Sequence, residues 1–163
     1  MLSRGPDDLD LGIKMDTLSA ARRYKRRRSV LLAKPMFSQA KASIGHDIPN
    51  GWLDLIEKLV LDLEALPGGE RLRCMQVKEK FGTLRFYLEG SAPRVDLIYS
   101  RQRVVTTKRT RTTEPSAASQ LVAAAEQASA AICLSCGEPG TVVDTGGWWR
   151  ALCPTCAEAE RQT

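Results

Sequence analysis

Four cysteines carry the clearest chemistry in this chain of 163 residues: Cys133-x-x-Cys136 and, after sixteen intervening residues, Cys153-x-x-Cys156. Each pair places two thiolates on one tight turn, and two such turns can close a tetrahedral cage around one ion. The spacing is that of a structural zinc site, and four thiolates leave no open position for water or substrate. One Zn²⁺ that builds the fold, held by all four cysteines, is the expected cofactor. A four-thiolate iron site uses similar knuckles, but here Ala157 stands where a glycine is expected and the loop is short. A zinc deaminase needs a His-x-Glu pair ahead of its Cys-x-x-Cys, whereas the single histidine, His46, is followed by Asp47 and Ile48. A redox dithiol accounts for one isolated Cys-x-x-Cys and not for two at this spacing. The fifth cysteine, Cys74, lies in a strand-like run and reads as a small buried hydrophobe.

No catalytic constellation accompanies these thiols. One histidine weakens any Ser/His or Cys/His scheme. Gly68-Gly69 and Gly146-Gly147 lack the Lys-Ser/Thr of a phosphate-cradling loop. Glu57, Asp62, Glu64 and Glu79 read as solvated face positions, not as paired acids. No residue is assigned a catalytic role, and the expectation is a binding module.

The formal net charge of +5 understates the basic bias, because the cations cluster. Arg22, Arg23, Lys25, Arg26, Arg27 and Arg28 surround Tyr24, and Arg101, Arg103, Lys108, Arg109 and Arg111 follow with no acid among them. Such clusters suit phosphate-rich or acidic partners. Trp148 and Trp149 stand on adjacent positions of an expected strand, so one ring is expected to face the core and the other a partner.

The elements that must position these groups read as α+β: a small helix-plus-hairpin core with a C-terminal zinc ribbon of treble-clef character. Residues 1–48 lack a sustained apolar period and read as a basic, poorly folded extension, within which Leu18–Lys34 could form a basic helix ended by Pro35. Residues 49–132 form the core, with a basic insertion near 94–118, and 133–163 form the ribbon. In Gly51–Leu66, apolar residues recur every three or four positions behind a candidate Asn50 cap, which predicts an amphipathic helix. Arg71–Glu79 and Thr83–Leu88 alternate about Lys80-Phe81-Gly82, which predicts a β-hairpin. Cys74 or Met75 could take the inward position in its first strand. A third strand is expected within Val95–Tyr99 or Arg103–Thr107, and a helix over Ala118–Ile132. In the ribbon, strands are expected at Thr141–Asp144 and Trp148–Leu152, with a helix after Cys156. No stretch reaches the roughly 18 apolar residues that span a bilayer. The apolar run after Arg28 is too short for a signal peptide and is broken by Lys34 and Pro35. A cytoplasmic setting is expected.

Three blocks carry a resemblance. Gly51-Trp52-x-x-Leu55-Ile56, the run Gln76-Val-Lys-Glu-Lys-Phe-Gly-Thr-Leu-Arg-Phe-Tyr87, and Cys133-x-x-Cys136-Gly-x-Pro-Gly140 with Gly147-Trp148 and Leu152-Cys153 together resemble uncharacterised phage and prophage-type bacterial proteins. The likeness spans about Gly51 to Cys156 and leaves out the N-terminal extension and the basic insertion. It implies a mobile-element setting in a bacterial host and no particular activity. The expected partner is nucleic acid or a complex that handles it, contacted through the basic clusters. The alternative is a protein-interaction module, such as a phage inhibitor of a host enzyme or defence system.

Overall fold

A computed structural model describes residues 20–37, 46–89 and 116–162. The second basic cluster, the insertion near 94–118 up to residue 115, and both candidate third strands lie outside the described residues. The described chain is α+β, with four helices and two antiparallel hairpins.

Helix α2 (Leu53–Glu64) buries Leu53, Ile56, Leu59, Val60 and Leu63, the stripe its periodicity calls for. Its start differs from expectation. Asn50 does not cap it; Asn50–Trp52 form a 3-10 turn, and Trp52 occupies the cap position with no side-chain hydrogen bond there. Both side chains are engaged elsewhere. Trp52 Nε1 donates to Ile132 O at 2.9 Å, and Asn50 Oδ1 accepts from Arg28 Nη2 at 2.6 Å.

Strands β1 (Cys74–Lys80) and β2 (Thr83–Leu88) pair antiparallel, with a bulge between Cys74 and Gln76. The bulge resolves the Cys74-or-Met75 ambiguity: an extra residue breaks the period of two, so the buried positions are Cys74 and Val77. The two-residue turn has positive φ at both Phe81 (53°) and Gly82 (74°), the geometry that follows the twist of a hairpin. Gly82 is needed for a second reason, since a Cβ there would lie 2.7 Å from Val142 Cγ1.

A two-stranded sheet has two open edges, and side chains close both. Helix α3 (Ala117–Ser129) is capped by Ser116 Oγ, which accepts from Ser119 N, and it lies along β2. From α3, Ser129 Oγ accepts from Leu84 N (2.8 Å) and Glu126 Oε1 from Phe86 N (3.0 Å). On the β1 side, Asp47 N donates to Val77 O, and Val77 N donates to His46 Nδ1 at 3.2 Å.

The basic segment over residues 20–37 is folded: its helix falls where Leu18–Lys34 could form one, and its packing into the core departs from the poorly folded extension expected. Helix α1 (20–32) and the 3-10 turn Pro35–Phe37 bury Leu31, Met36 and Phe37 in the main core. Arg27 bonds Glu57 through Nε (3.3 Å) and Nη2 (2.7 Å) and also reaches Asp54, and Lys34 pairs with Glu64 at 2.7 Å. The acids of α2 that read as solvated are therefore partly spent on docking α1. Few apolar anchors and a non-local charge match leave no periodic signal in the sequence.

The hairpin of β3 (Thr141–Asp144) and β4 (Trp149–Leu152) pairs Thr141 with Leu152 and Asp144 with Trp149. Helix α4 (Pro154–Arg161) starts inside the second knuckle, with Pro154 in its first turn, where a missing N–H costs nothing. Leu134, Ala151, Leu152 and Ala157 belong to the same buried cluster as Trp52 and Phe86, so one core runs from the α+β layer into the cysteine-bearing segment. No helix of the described residues is long and apolar enough to cross a membrane.

Candidate metal centre and the cleft beside it

The fold brings together all four cysteines singled out by spacing. The Sγ atoms of Cys133, Cys136, Cys153 and Cys156 lie within 4.8 Å of one another, and Cys136 and Cys153 are 3.7 Å apart. Four thiolates at Zn–S distances of about 2.3 Å in a tetrahedron stand roughly 3.8 Å apart, so this cluster can hold a metal ion and is compatible with a zinc site. None of the cysteines is in a disulfide.

Backbone geometry prepares the thiolates. Burial raises the Cys133 thiol, but the amides of Cys136, Cys153 and Ser135 outweigh it and bring it down to about 6. Burial pushes Cys136 and Cys156 up, and the neighbouring sulfurs Cys133 and Cys153 push them further. A dication among them removes that conflict, because metal-bound thiols are deprotonated. Cys153 also caps α4, its Sγ accepting from Cys156 N at 3.4 Å. Cys74, buried elsewhere in the core, is pushed up to about 12 by burial and joins no metal-ligating cluster among the described residues.

The first knuckle is seated by Gly51 and Trp52. Gly51 N donates to Leu134 O at 2.9 Å, and a Cβ at Gly51 would fall 2.0 Å from Cys133 O and 2.5 Å from Gly137 N. Only a glycine allows two backbones to approach so closely. Gly137, with φ of 87°, turns the knuckle back towards it. The Gly-Trp pair stood out in the sequence as part of a resemblance, but its task as a seat for the knuckle is visible only here.

The tryptophans differ from expectation. Neither Trp148 nor Trp149 shields the core or the cysteines: they are 76% and 50% exposed. The strand begins only at Trp149, and Trp148 belongs to the turn in which Thr145 N and Oγ1 donate to Trp148 O, so the alternation of a strand does not separate the two rings. Both line a cleft of about 960 Å³, with Arg28, His46 and Asp47 among its other lining residues.

The basic residues divide. Arg22, Arg23, Lys25 and Arg26 are exposed on α1, while Arg27 and Arg28 are half-buried. Arg27 is committed to α2: its guanidinium is held charged by Glu57 and then Asp54. These two carboxylates compete with its expected role as a phosphate contact. Arg28 turns to Asn50 and to the cleft. His46, which the sequence offered only as a lone polar residue, packs edge-on against Phe37 with ring centroids 5.1 Å apart. Burial lowers its pKa, which favours the neutral ring.

Comparison with protein-family models, with curated proteins and with solved structures finds no match to this chain.

Proposed function

We propose that this protein is a non-catalytic zinc-ribbon module that binds nucleic acid, or a complex that handles it, through the exposed basic face of α1. In this reading one Zn²⁺ sits on Cys133, Cys136, Cys153 and Cys156 and holds the ribbon. The setting is the cytoplasm of a bacterial host that carries a phage-type element, as the resemblance implies.

The observation that supports this reading is the display of cations on a positioned helix. Arg27 fastens α1 to α2, while Arg22, Arg23, Lys25 and Arg26 face outward. Arg22 and Arg26 are four residues apart and Arg22 and Lys25 three, spacings at which like charges destabilise a helix. Phosphates relieve that repulsion, and Arg101, Arg103, Lys108, Arg109 and Arg111 are proposed to extend the contact.

The test is binding of the zinc-loaded chain to a labelled oligonucleotide over a salt series. Four neutralised phosphates on a single strand predict a log–log slope of roughly −3. The Arg22→Glu/Lys25→Glu double variant is expected to weaken binding at every salt concentration. Absent or salt-independent binding overturns the proposal. A second reading, a protein-interaction module anchored by Trp148 and Trp149, is favoured by their exposure. Its mark is a host protein that stays bound after nuclease treatment.

A further inference from the structure

The cleft beside the ribbon joins features that belong to neither the metal centre nor the basic face. Two exposed indoles, Trp148 and Trp149, line it, and so do the polar residues Arg28, His46 and Asp47. Arg28 Nε and His46 Nε2 are buried and have no hydrogen-bond partner among the described residues. His46 Nδ1 accepts from Val77 N, so in the neutral ring the proton lies on Nε2, which is then an unmatched donor. Buried donors are nearly always matched, so two unmatched donors on residues that line one cleft point to an acceptor that they meet when these side chains turn towards it. Asp47, an exposed residue of the same cleft, supplies an acceptor. The other carboxylates are engaged: Glu160 with Arg150 at 2.7 Å and Glu79 with Gly82 N.

We propose that this cleft takes unstacked bases of a single-stranded nucleic acid, stacked on Trp148 and Trp149 and read on their edges by Arg28, His46 and Asp47. The proposal rests on the nucleic-acid reading above and assigns it a strand type and a second contact surface. The chemistry of the lining matches a base: an aromatic face for its ring, N–H donors for its carbonyl and ring-nitrogen acceptors, and a carboxylate for its amino or imino hydrogens. Charge placement gives the strand a path. Arg22, Lys25 and Arg28 follow one another at intervals of three on α1, where side chains are neighbours, and the last of them lines the cleft. Phosphates lie along that row, and bases turn inward at its end. A duplex keeps its bases stacked and paired, so it can reach the row and not the cleft.

The experiment is fluorescence anisotropy with the full, zinc-loaded chain and labelled 12-nucleotide DNA and RNA single strands, against the matching duplex. Trp148→Ala, Trp149→Ala, Asp47→Asn and Arg22→Glu/Lys25→Glu are compared with the wild type. Either tryptophan variant is expected to weaken single-strand binding roughly tenfold, the usual scale for one stacked base, with duplex binding unchanged. Asp47→Asn is expected to alter the ranking among homopolymer strands. Both tryptophans are exposed, and retained zinc content verifies that their variants fold. If the tryptophan variants bind single strands like the wild type while the charge variant loses binding, the cleft proposal fails and the basic-face reading stands. If they weaken single strand and duplex equally, the cleft proposal also fails. If the wild type binds neither, both readings fall.

Discussion

In the β1–β2 hairpin, Cys74, Val77, Leu84, Phe86 and Leu88 are buried, and residues from α3 and from 46–47 satisfy both edges. In the β3–β4 hairpin only Ala151 and Leu152 are buried, and both residues of the pair Asp144–Trp149 are exposed. An isolated two-stranded hairpin is marginal in water. The first is therefore held by apolar burial and edge capping, whereas the second has little core of its own and rests on the close backbone seat of the first knuckle, beside a cysteine cluster that could hold a metal ion. The aromatic residues differ as well: the strands of the first hairpin bury Phe86 and its turn exposes Phe81, whereas the second hairpin leaves both tryptophans in solvent.

The largest effect that would sharpen this contrast is metal removal. Chelation or Cys153→Ser is expected to remove one zinc per chain and with it a stabilisation of order 10 kcal/mol for the ribbon. Hydrogen exchange should then accelerate across 133–161 before β1–β2. Unchanged protection in the ribbon would show that its side-chain packing suffices without metal.

Next is Gly51→Ala, whose Cβ meets Cys133 O at 2.0 Å. A loss of about 4 kcal/mol in denaturant unfolding, with weakened zinc retention, is expected. Phe86→Ala should cost a similar 3–5 kcal/mol by leaving a cavity in the first hairpin while zinc stoichiometry stays at one. Zinc loss in that variant would break the division between the two supports. Ser129→Ala removes the acceptor for Leu84 N from a site with no solvent access, and is expected to cost about 1–3 kcal/mol.

The smallest effect concerns acid. The folded pKa of His46 is depressed, so the unfolded chain binds the proton more readily. Its contribution is present above the unfolded value of about 6.5 and is lost as pH falls below it. His46→Gln should flatten the stability–pH profile in that window, measured from pH 7.5 to 5.5 with zinc occupancy followed in parallel. An unchanged profile would show that the β1 edge does not sense His46 protonation.

Much of this was legible in the sequence, for identifiable reasons. The stripe of α2, the alternation of β2 and the Cys-x-x-Cys spacing are local patterns, and local geometry enforces them. Misreadings came where a distant partner decides. Asn50 has the chemistry of a helix cap, but Arg28 lies close enough to take its oxygen. Cys74 and Met75 could not be ranked because a bulge interrupts the period of two. The basic helix looked unanchored since its anchors, Glu57 and Glu64, lie 30 residues away in sequence. Adjacent tryptophans in a strand face opposite ways, but here the strand begins between them.

By itself the sequence determined the α+β class, the two hairpins, the four-cysteine cluster and the cationic run, because each follows from residue type and short-range spacing. The tertiary structure alone decided which arginines remain exposed, that Gly51 seats the first knuckle, and that Trp148, Trp149, Arg28 and His46 share one cleft. Those facts depend on the approach of segments about 20 to 120 residues apart, and no local pattern encodes that distance.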